Sequence, residues 1–387
     1  MTKEAGRPQL QAKLPEFYAV HALIHNNSRS ESKKLSGAIV SVHCHWGRAE
    51  FWTSTETPED DMRAIASLLV VLTAVASTAV AILPTSSLAE AWPQRNVRII
   101  TPFPAGTGAD ISARLFAERL ALRWEKPVIV ENKPGADGIL AVTAVVGARD
   151  GHTLLYTNGG PVTANPFTHD KLPYDAARDL SPISSAADVA IGISVPSSLN
   201  LGTIAEFIAF ARSRQGALNW SATTGVLDFF IPGFFKNAGL NLTKVSYREV
   251  SPALQDLAEA RIQLYASALA TQLPMVHAGK IKVLALTNRE RSSLVPDVPT
   301  VTEAGYSDIA VDGFLGFYAP SGTSADLVDH IGADIRAVGS DPAIAARLSG
   351  NGLTVRTSTP AEFLAIVETE RAKIAGFAKM LGSQIKP

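Results

Sequence analysis

Val97-Arg98-Ile99-Ile100-Thr101 runs directly into Pro102-Phe103-Pro104-Ala105-Gly106-Thr107-Gly108-Ala109-Asp110, and this stretch decides the fold. The first five residues are β-branched or apolar around one arginine, which reads as a strand. After Asp110, Ile111, Leu115, Phe116 and Leu120 recur at helical spacing, and Val128-Ile129-Val130 reads as a second strand. Strand, helix and strand within about 34 residues make a βαβ unit, with parallel strands and a right-handed crossover. The loop 102–110 therefore sits at the carboxyl end of a strand, where open α/β sheets bind ligands. Its glycines let a ligand approach the backbone, and the helix behind it offers unpaired N–H groups and a positive dipole end. That is an anion seat without an arginine. The Gly-x-Gly is too short for a dinucleotide fingerprint, and no lysine stands where a phosphate loop needs one. Asp110 has two compatible roles, as a ligand contact or as the N-cap of a helix beginning at Ile111.

Working outward, the alternation continues. Helices are expected at Ile139–Ala148, Thr203–Arg214, Asp228–Ala238 and Pro252–Ala260. Strands are expected at Thr153–Thr157, Leu218–Ser221, Lys244–Tyr247, Ile262–Ala266 and Ile281–Leu286. Such a pattern specifies an α/β architecture with mostly parallel sheets flanked by helices. Two extended stretches, Ile191–Pro196 and Phe314–Pro320, bracket the middle of the chain. If both cross between lobes, they form a hinge of two crossing strands, as in proteins that close on a ligand. The division is then 92–193 with 317–387 as one lobe and 194–316 as the other.

The chain has 387 residues, 46% apolar and 18% charged, with 35 basic and 36 acidic side chains. A formal charge of −1 supplies no field to gather nucleic acid, so none is expected as a partner. These averages hide an uneven N-terminal part. Met62-Arg63 precedes twenty uncharged residues, Ala64 to Leu83, and then Leu88-Ala89-Glu90-Ala91 before Trp92. A positive start, an apolar run and an Ala-x-Ala site make a secretory signal over 62–91. A retained membrane anchor is the alternative, since ~20 apolar residues can span a bilayer. A signal must lead its chain, so residues 1–61 read as a disordered, over-extended start, and their His21, His25, His43, Cys44 and His45 as chance. Removing 1–91 takes eight basic and nine acidic residues away and leaves 27 of each in 296 residues, with no cysteine. The expected product is an exported, periplasmic protein without thiol chemistry.

PFPAGTGAD (Pro102 to Asp110) behind an export segment and a Trp92-Pro93 start resembles the Bug family, the substrate-binding proteins of tripartite tricarboxylate transporters. The likeness extends through VIVENKPGADG (Val128 to Gly138), DGHTLLYT (Asp150 to Thr157), KLPYDAARDLSPI (Lys171 to Ile183), SPALQDLAEARI (Ser251 to Ile262), HAGKIKVLALTN (His277 to Asn288) and VPDVPTVTEAGY (Val295 to Tyr306). It implies a two-lobed, type II-like periplasmic binding protein that closes on a small organic carboxylate. The partners it implies are the membrane subunits of a transporter, with the receptor itself a monomer and no cofactor. The ligand contacts carried over are Phe103, Ala105, Gly106, Thr107, Gly108, Ala109 and Asp110 in the first loop. Asn158 and Gly159 follow the LLYT strand, and Asn165 lies in the next turn. Ser221, Thr223 and Thr224 come from the facing lobe. The chain departs from the family at Gly106-Thr107, where two glycines are usual, and at Tyr247-Arg248-Glu249. It departs again at Val226-Leu227-Asp228-Phe229-Phe230, where Leu227 and Phe229 as pocket walls would favour a more apolar or aromatic acid.

Other candidates carry plainer readings. His152, His169, His277 and His330 lack the spacing of metal ligands. No Gly-x-Ser-x-Gly elbow is present, so no enzyme is expected. Trp220 and Phe229, Phe230, Phe234 and Phe235 read as core, Glu368 and Glu370 as solvated carboxylates on a C-terminal helix, and Arg248 with Glu249 as a lobe-closure contact. A periplasmic sensor, or less readily an enzyme on the same scaffold, stands as the alternative function.

Overall fold

The computed structural model describes residues 92–223, 225–247 and 249–382. The export segment at 62–91 and the stretch before it lie outside the described residues, as do Thr224 and Arg248.

The strands are β1 (Val97–Thr101), β2 (Val128–Asn132), β3 (Thr153–Asn158), β4 (Leu180–Val189), β5 (Ile191–Pro196), β6 (Asn219–Ala222), β7 (Thr243–Lys244), β8 (Leu264–Ala268), β9 (Ile281–Leu286), β10 (Gly313–Pro320) and β11 (Leu353–Val355). The longer helices are α1 (Gly108–Trp124), α2 (Ile139–Val146), α3 (Ile204–Arg212), α4 (Leu227–Ala238), α5 (Val250–Ala258), α6 (Leu269–His277), α7 (Ala325–Gly339), α8 (Pro342–Ser349) and α9 (Pro360–Leu381). They build two α/β sheets. One has the order β11-β4-β10-β3-β1-β2, the other β7-β6-β8-β5-β9.

The expected βαβ unit is present, with Val97 opposite Val128 in a parallel β1–β2 pair. The β1–β3, β6–β7 and β6–β8 pairs are parallel too. The sheets are mixed rather than mostly parallel, because every pair made by β4, β5 or β10 is antiparallel. Those strands carry the chain from one sheet to the other, so they enter without the crossover helix that a parallel neighbour requires. Lys244–Tyr247 is strand only at Lys244, for a hydrogen bond from Tyr247 Oη to Asp256 Oδ2, 2.5 Å away, accompanies a turn into α5.

The first crossing is a single residue, Ala190, between β4 and β5. Asn288 straps it, accepting the Ile191 N–H on Oδ1 and donating from Nδ2 to the Val189 carbonyl, both at 2.9 Å. The return runs past Thr287, which exchanges bonds with Val311 at 2.9 and 3.0 Å before β10 begins. The crossings thus precede β5 and β10 rather than lying inside them: β5 pairs wholly in the second sheet and β10 wholly in the first.

A third connection was not expected. Phe363 and Val367 of α9 belong to the core under the first sheet, with Ile100, Leu155 and Tyr318. Ile374, Phe377 and Ala378 of the same helix belong to the core of the second sheet, with Trp220 and Phe230. One stripe of α9, Phe363, Glu370 and Phe377, rests on three glycines. A Cβ at Gly316 of β10 would overlap the Phe363 ring, one at Gly159 the Glu370 carboxyl, and one at Gly233 of α4 the Phe377 ring. Glu370 is 6% exposed, which corrects its reading as solvated.

Candidate functional site

Parallel strands aim their carboxyl ends at one side of a sheet, and here both sheets aim them at a shared cleft. Its main chamber, about 570 Å³, is lined by Pro102, Phe103 and Pro104 after β1, by Pro134 to Gly138 after β2, and by Asn158, Gly160, Pro161 and Asn165 after β3. Gly225 after β6 and Glu249 after β7 face them. An adjoining chamber of about 530 Å³ shares Gly135, Ala136, Asp137 and Glu249 and adds Ala222, Thr223, Tyr247, Val250 and Tyr265. At the waist the two sides nearly touch, since a Cβ on Gly225 would lie 3.3 Å from the Gly160 Cα.

The first loop owes its shape to Asp110, which is 2% exposed. Its Oδ2 accepts the Gly106 N–H at 2.8 Å and the Arg114 Nε–H at 3.1 Å, and its Oδ1 accepts from Asn132 Nδ2 at 2.6 Å. The same Asn132 nitrogen donates to the Phe103 carbonyl at 2.9 Å. Burial pushes the Asp110 carboxyl up, but the bonds from Arg114, Asn132 and Gly106 outweigh it and hold the group below its ordinary value of 3.8. The N-cap is Thr107, not Asp110, and α1 starts at Gly108. The Asp110 N–H is taken by Thr107 Oγ1 at 3.3 Å, the Gly106 N–H by Asp110 and the Thr107 N–H by the Pro104 carbonyl at 3.4 Å, so three of the five backbone amides of residues 106–110 are already bonded. Asp110→Ala removes the buried acceptor shared by Gly106, Asn132 and Arg114 and is expected to cost about 1–2 kcal/mol of stability. Denaturant titration checks this. A depressed folded pKa means that the contribution is present above 3.8 and is lost as pH falls through the folded value.

The other expected contacts divide. Phe103, Asn158, Asn165 and Thr223 line the cleft. The Asn158 side chain makes no hydrogen bond among the described residues and offers a free amide at the end of β3. Asn165 is buried and bonded, donating to the Asp137 carbonyl at 3.1 Å and to Tyr174 Oη at 3.2 Å. Ala105, Gly106 and Thr107 are exposed outside the lining, and Gly108 and Ala109 open α1 beside the Asn351 carbonyl, which a Cβ on Gly108 would meet at 3.3 Å. Gly159 lies under Glu370 rather than in the cleft. Ser221 is 1% exposed and its hydroxyl has no partner in the described structure. Leu227 and Phe229 are buried in the second sheet's core, so the expected apolar pocket wall is not there.

Sequence reasoning missed Pro134 to Gly138, Gly160, Pro161, Tyr247 and Tyr265, while Gly225 lies in the facing loop 221–225 that the resemblance had pointed to. A signal existed for the first group in the turn pattern Pro134-Gly135-Ala136-Asp137-Gly138, which the structure folds with Ala136 and Asp137 at φ 47° and 49° between glycines at 112° and 84°. The charged residues in the lining are Asp137 and Glu249, with no lysine or arginine among the described residues. Burial pushes the Tyr265 phenol up to about 12; burial and Asp256 do the same for Tyr247. Both phenols therefore stay protonated near neutral pH.

The family model of the tripartite tricarboxylate transporter family receptor matches residues 112–382. The chain belongs to that family. The receptor is 28% identical to the periplasmic binding protein BugD, covering 76% of this chain and 99% of BugD, with a TM-score of 0.63. It is 28% identical to an R. palustris protein solved with adipate, over 75% of this chain and 98% of that one, at a TM-score of 0.67. MatC from Rhodopseudomonas palustris, solved with bound malate, is 27% identical over 74% and 99%, at 0.64. The fold is that of periplasmic binding proteins, and the family is one of binding proteins, not enzymes. No group of residues suited to a metal ion occurs among the described residues, and none of their helices is long and apolar enough to cross a membrane.

Proposed function

We propose that this receptor captures a small organic carboxylate in the cleft between its two lobes and delivers it, as a monomer, to the membrane subunits of a tripartite tricarboxylate-type transporter. One observation carries the reading: loops from the carboxyl ends of both sheets converge on a cleft that offers the Asn158 amide and the Thr223 and Tyr265 hydroxyls and, among the described residues, no lysine or arginine. Amides and phenols can hold an anion there without a counter-charge. The contacts are Phe103, Asn158, Gly160, Thr223 and Tyr265, with the backbone of Gly135 to Gly138, in place of the exposed tip of the first loop. Glu249, together with Asp137, which lies 3.4 Å from His169 Nε2, adds negative charge to the lining and disfavours a tricarboxylate relative to a dicarboxylate or hydroxy acid. Two relatives solved with adipate and malate support that class.

The receptor works in the periplasm, exported by the segment 62–91. Trp92, the residue after the Ala89-Glu90-Ala91 site, is seated in the fold: its Nε1–H donates to the Gly151 carbonyl at 2.9 Å and its ring meets Trp124 and His152. Calorimetry with adipate, malate and citrate tests the ligand class. Binding of one of the first two, with citrate weaker by tenfold or more, is expected. Tighter binding of citrate would reverse the charge argument, and no binding by any organic acid would end the reading.

A further inference from the structure

Glu370 is the ionisable member of the α9 stripe and lies between the segment packed under the first sheet and the one packed under the second. Its Oε1 is 2.7 Å from Thr163 Oγ1, and Thr163 Oγ1 is also 2.7 Å from the Gly159 carbonyl. A hydroxyl has one proton and a carbonyl can only accept. When Thr163 donates to Gly159, its contact with Glu370 requires a proton from the carboxyl. Thr163 belongs to Gly160–Ala164, a π-helical turn, a type of distortion found frequently at functional sites. The same turn supplies Gly160 and Pro161 to the cleft, so Glu370 stands directly behind the cleft floor.

No described residue forms an ion pair with Glu370, and Lys373 acts on it only across their shared cavity. Lys373 donates to the Ala310 carbonyl at 2.9 Å, and Arg371 pairs with Glu368. From the return crossing, Arg289 pairs with Asp312 at 2.9 Å; these two share a cavity of about 200 Å³ with Glu370 and Lys373. Tyr318 of β10 is buried nearby with its hydroxyl unpartnered. Burial pushes the Glu370 carboxyl up to about 7, Asp312 adds to the rise, and Thr163 and Lys373 oppose it.

We propose that Glu370 is a positioning residue for the ligand cleft: its neutral carboxyl donates to Thr163 and locks the turn at 159–164 against α9, and its ionisation releases that turn and weakens ligand capture. This rests on the cleft being the carboxylate site. The locked form holds one proton more than the released form, so Kd is flat on the acid side and rises by up to about tenfold per pH unit above it.

The test is calorimetry of the exported receptor with adipate and malate from about pH 6 to 8.5, where both acids are ionised, with Glu370→Gln and Thr163→Val beside it. Wild-type affinity should fall at least about fivefold across that range. Glu370→Gln, whose amide donates as the neutral carboxyl does, should keep the acid-side affinity with a flat profile. Thr163→Val cuts the link and should flatten the profile even if the first variant fails to fold. A flat wild-type profile, or an unchanged slope in either variant, overturns the proposal. If neither acid binds at any pH, the carboxylate reading fails for those ligands, and thermal unfolding decides about Glu370. Its raised folded pKa stabilises below 4.5, and that contribution is lost as pH rises through about 7, so the wild-type melting temperature should fall relative to Glu370→Gln over this window. Parallel melting curves would then overturn the proposal.

Discussion

Gly316→Ala is expected to lower the unfolding free energy by about 2–3 kcal/mol, although it adds one methyl group. The position is central to the first sheet, in β10 between β3 and β4. An added Cβ overlaps Cζ of Phe363 and stands 2.7 and 2.9 Å from its Cε atoms. Phe363 is fully buried and packs against Phe314 and Tyr318, with ring centroids 5.4 and 5.0 Å away, so the ring has no free direction in which to yield. Close-packed interiors pass such an intrusion on as strain. The contrast is Gly376→Ala on α9, where a Cβ meets nothing within 4 Å and the residue lies inside a helix. There the lower backbone entropy of alanine acts alone and should raise stability by about 0.5–1 kcal/mol. Denaturant titration of both variants checks the opposite signs. Phe363→Leu combined with Gly316→Ala should recover part of the loss, since the two residues occupy one site. A neutral Gly316→Ala would show that the stripe is not tightly seated.

The same stripe marks where the sequence stops being informative. The β1–α1–β2 unit was readable because its pattern is local: Val97, Ile99, Leu115, Phe116 and Leu120 are all buried, at the spacing of their own elements. Repeating that alternation gave the α/β class, while the two-lobe reading came from the stretches Ile191–Pro196 and Phe314–Pro320 that bracket the middle of the chain and from the family resemblance. The antiparallel strands were less legible, because nothing within Ile191–Pro196 records which sheet it joins; that is settled by its ladders with β8 and β9, far along the chain. Glu370 was illegible for a similar reason. Its neighbours Glu368, Thr369 and Arg371 are polar, and its burial is created by Gly159, 211 positions earlier in the chain.

The cleft was legible in its place and less so in its chemistry. The loop after β1 does reach it, through Pro102 to Pro104. A glycine-rich tip reads as a set of free amides only while its neighbours are unknown. Asp110 and Thr107, within the same nine residues, satisfy part of that set. The donors left for a ligand come from elements adjacent in space rather than in sequence: Asn158 ends β3 of the first sheet and Tyr265 lies in β8 of the second.

Gly160→Leu should abolish most ligand binding while leaving the fold intact, and it carries the largest functional effect expected for one residue here. Gly160 and Gly225 form the cleft's waist, with a Cβ on Gly160 lying 3.8 Å from the Gly225 Cα and 3.5 Å from Asn158 Oδ1. Both are ordinary contact distances, so the first carbon fits. Gly160 also has helical backbone geometry, which leucine adopts without strain, whereas Gly225 at φ 104° does not tolerate a side chain. The remaining three carbons of the leucine have only the cleft to enter. They take the volume a small acid would fill and prevent the lobes from meeting across it. Kd for the bound acid should rise at least about 30-fold, roughly 2 kcal/mol, with Gly160→Ala intermediate. The melting temperature should stay within about 2 °C of wild type, because no core contact is disturbed. Calorimetry and thermal unfolding on the same samples separate the two effects: unchanged affinity in a folded Gly160→Leu receptor would place the ligand elsewhere than at the waist.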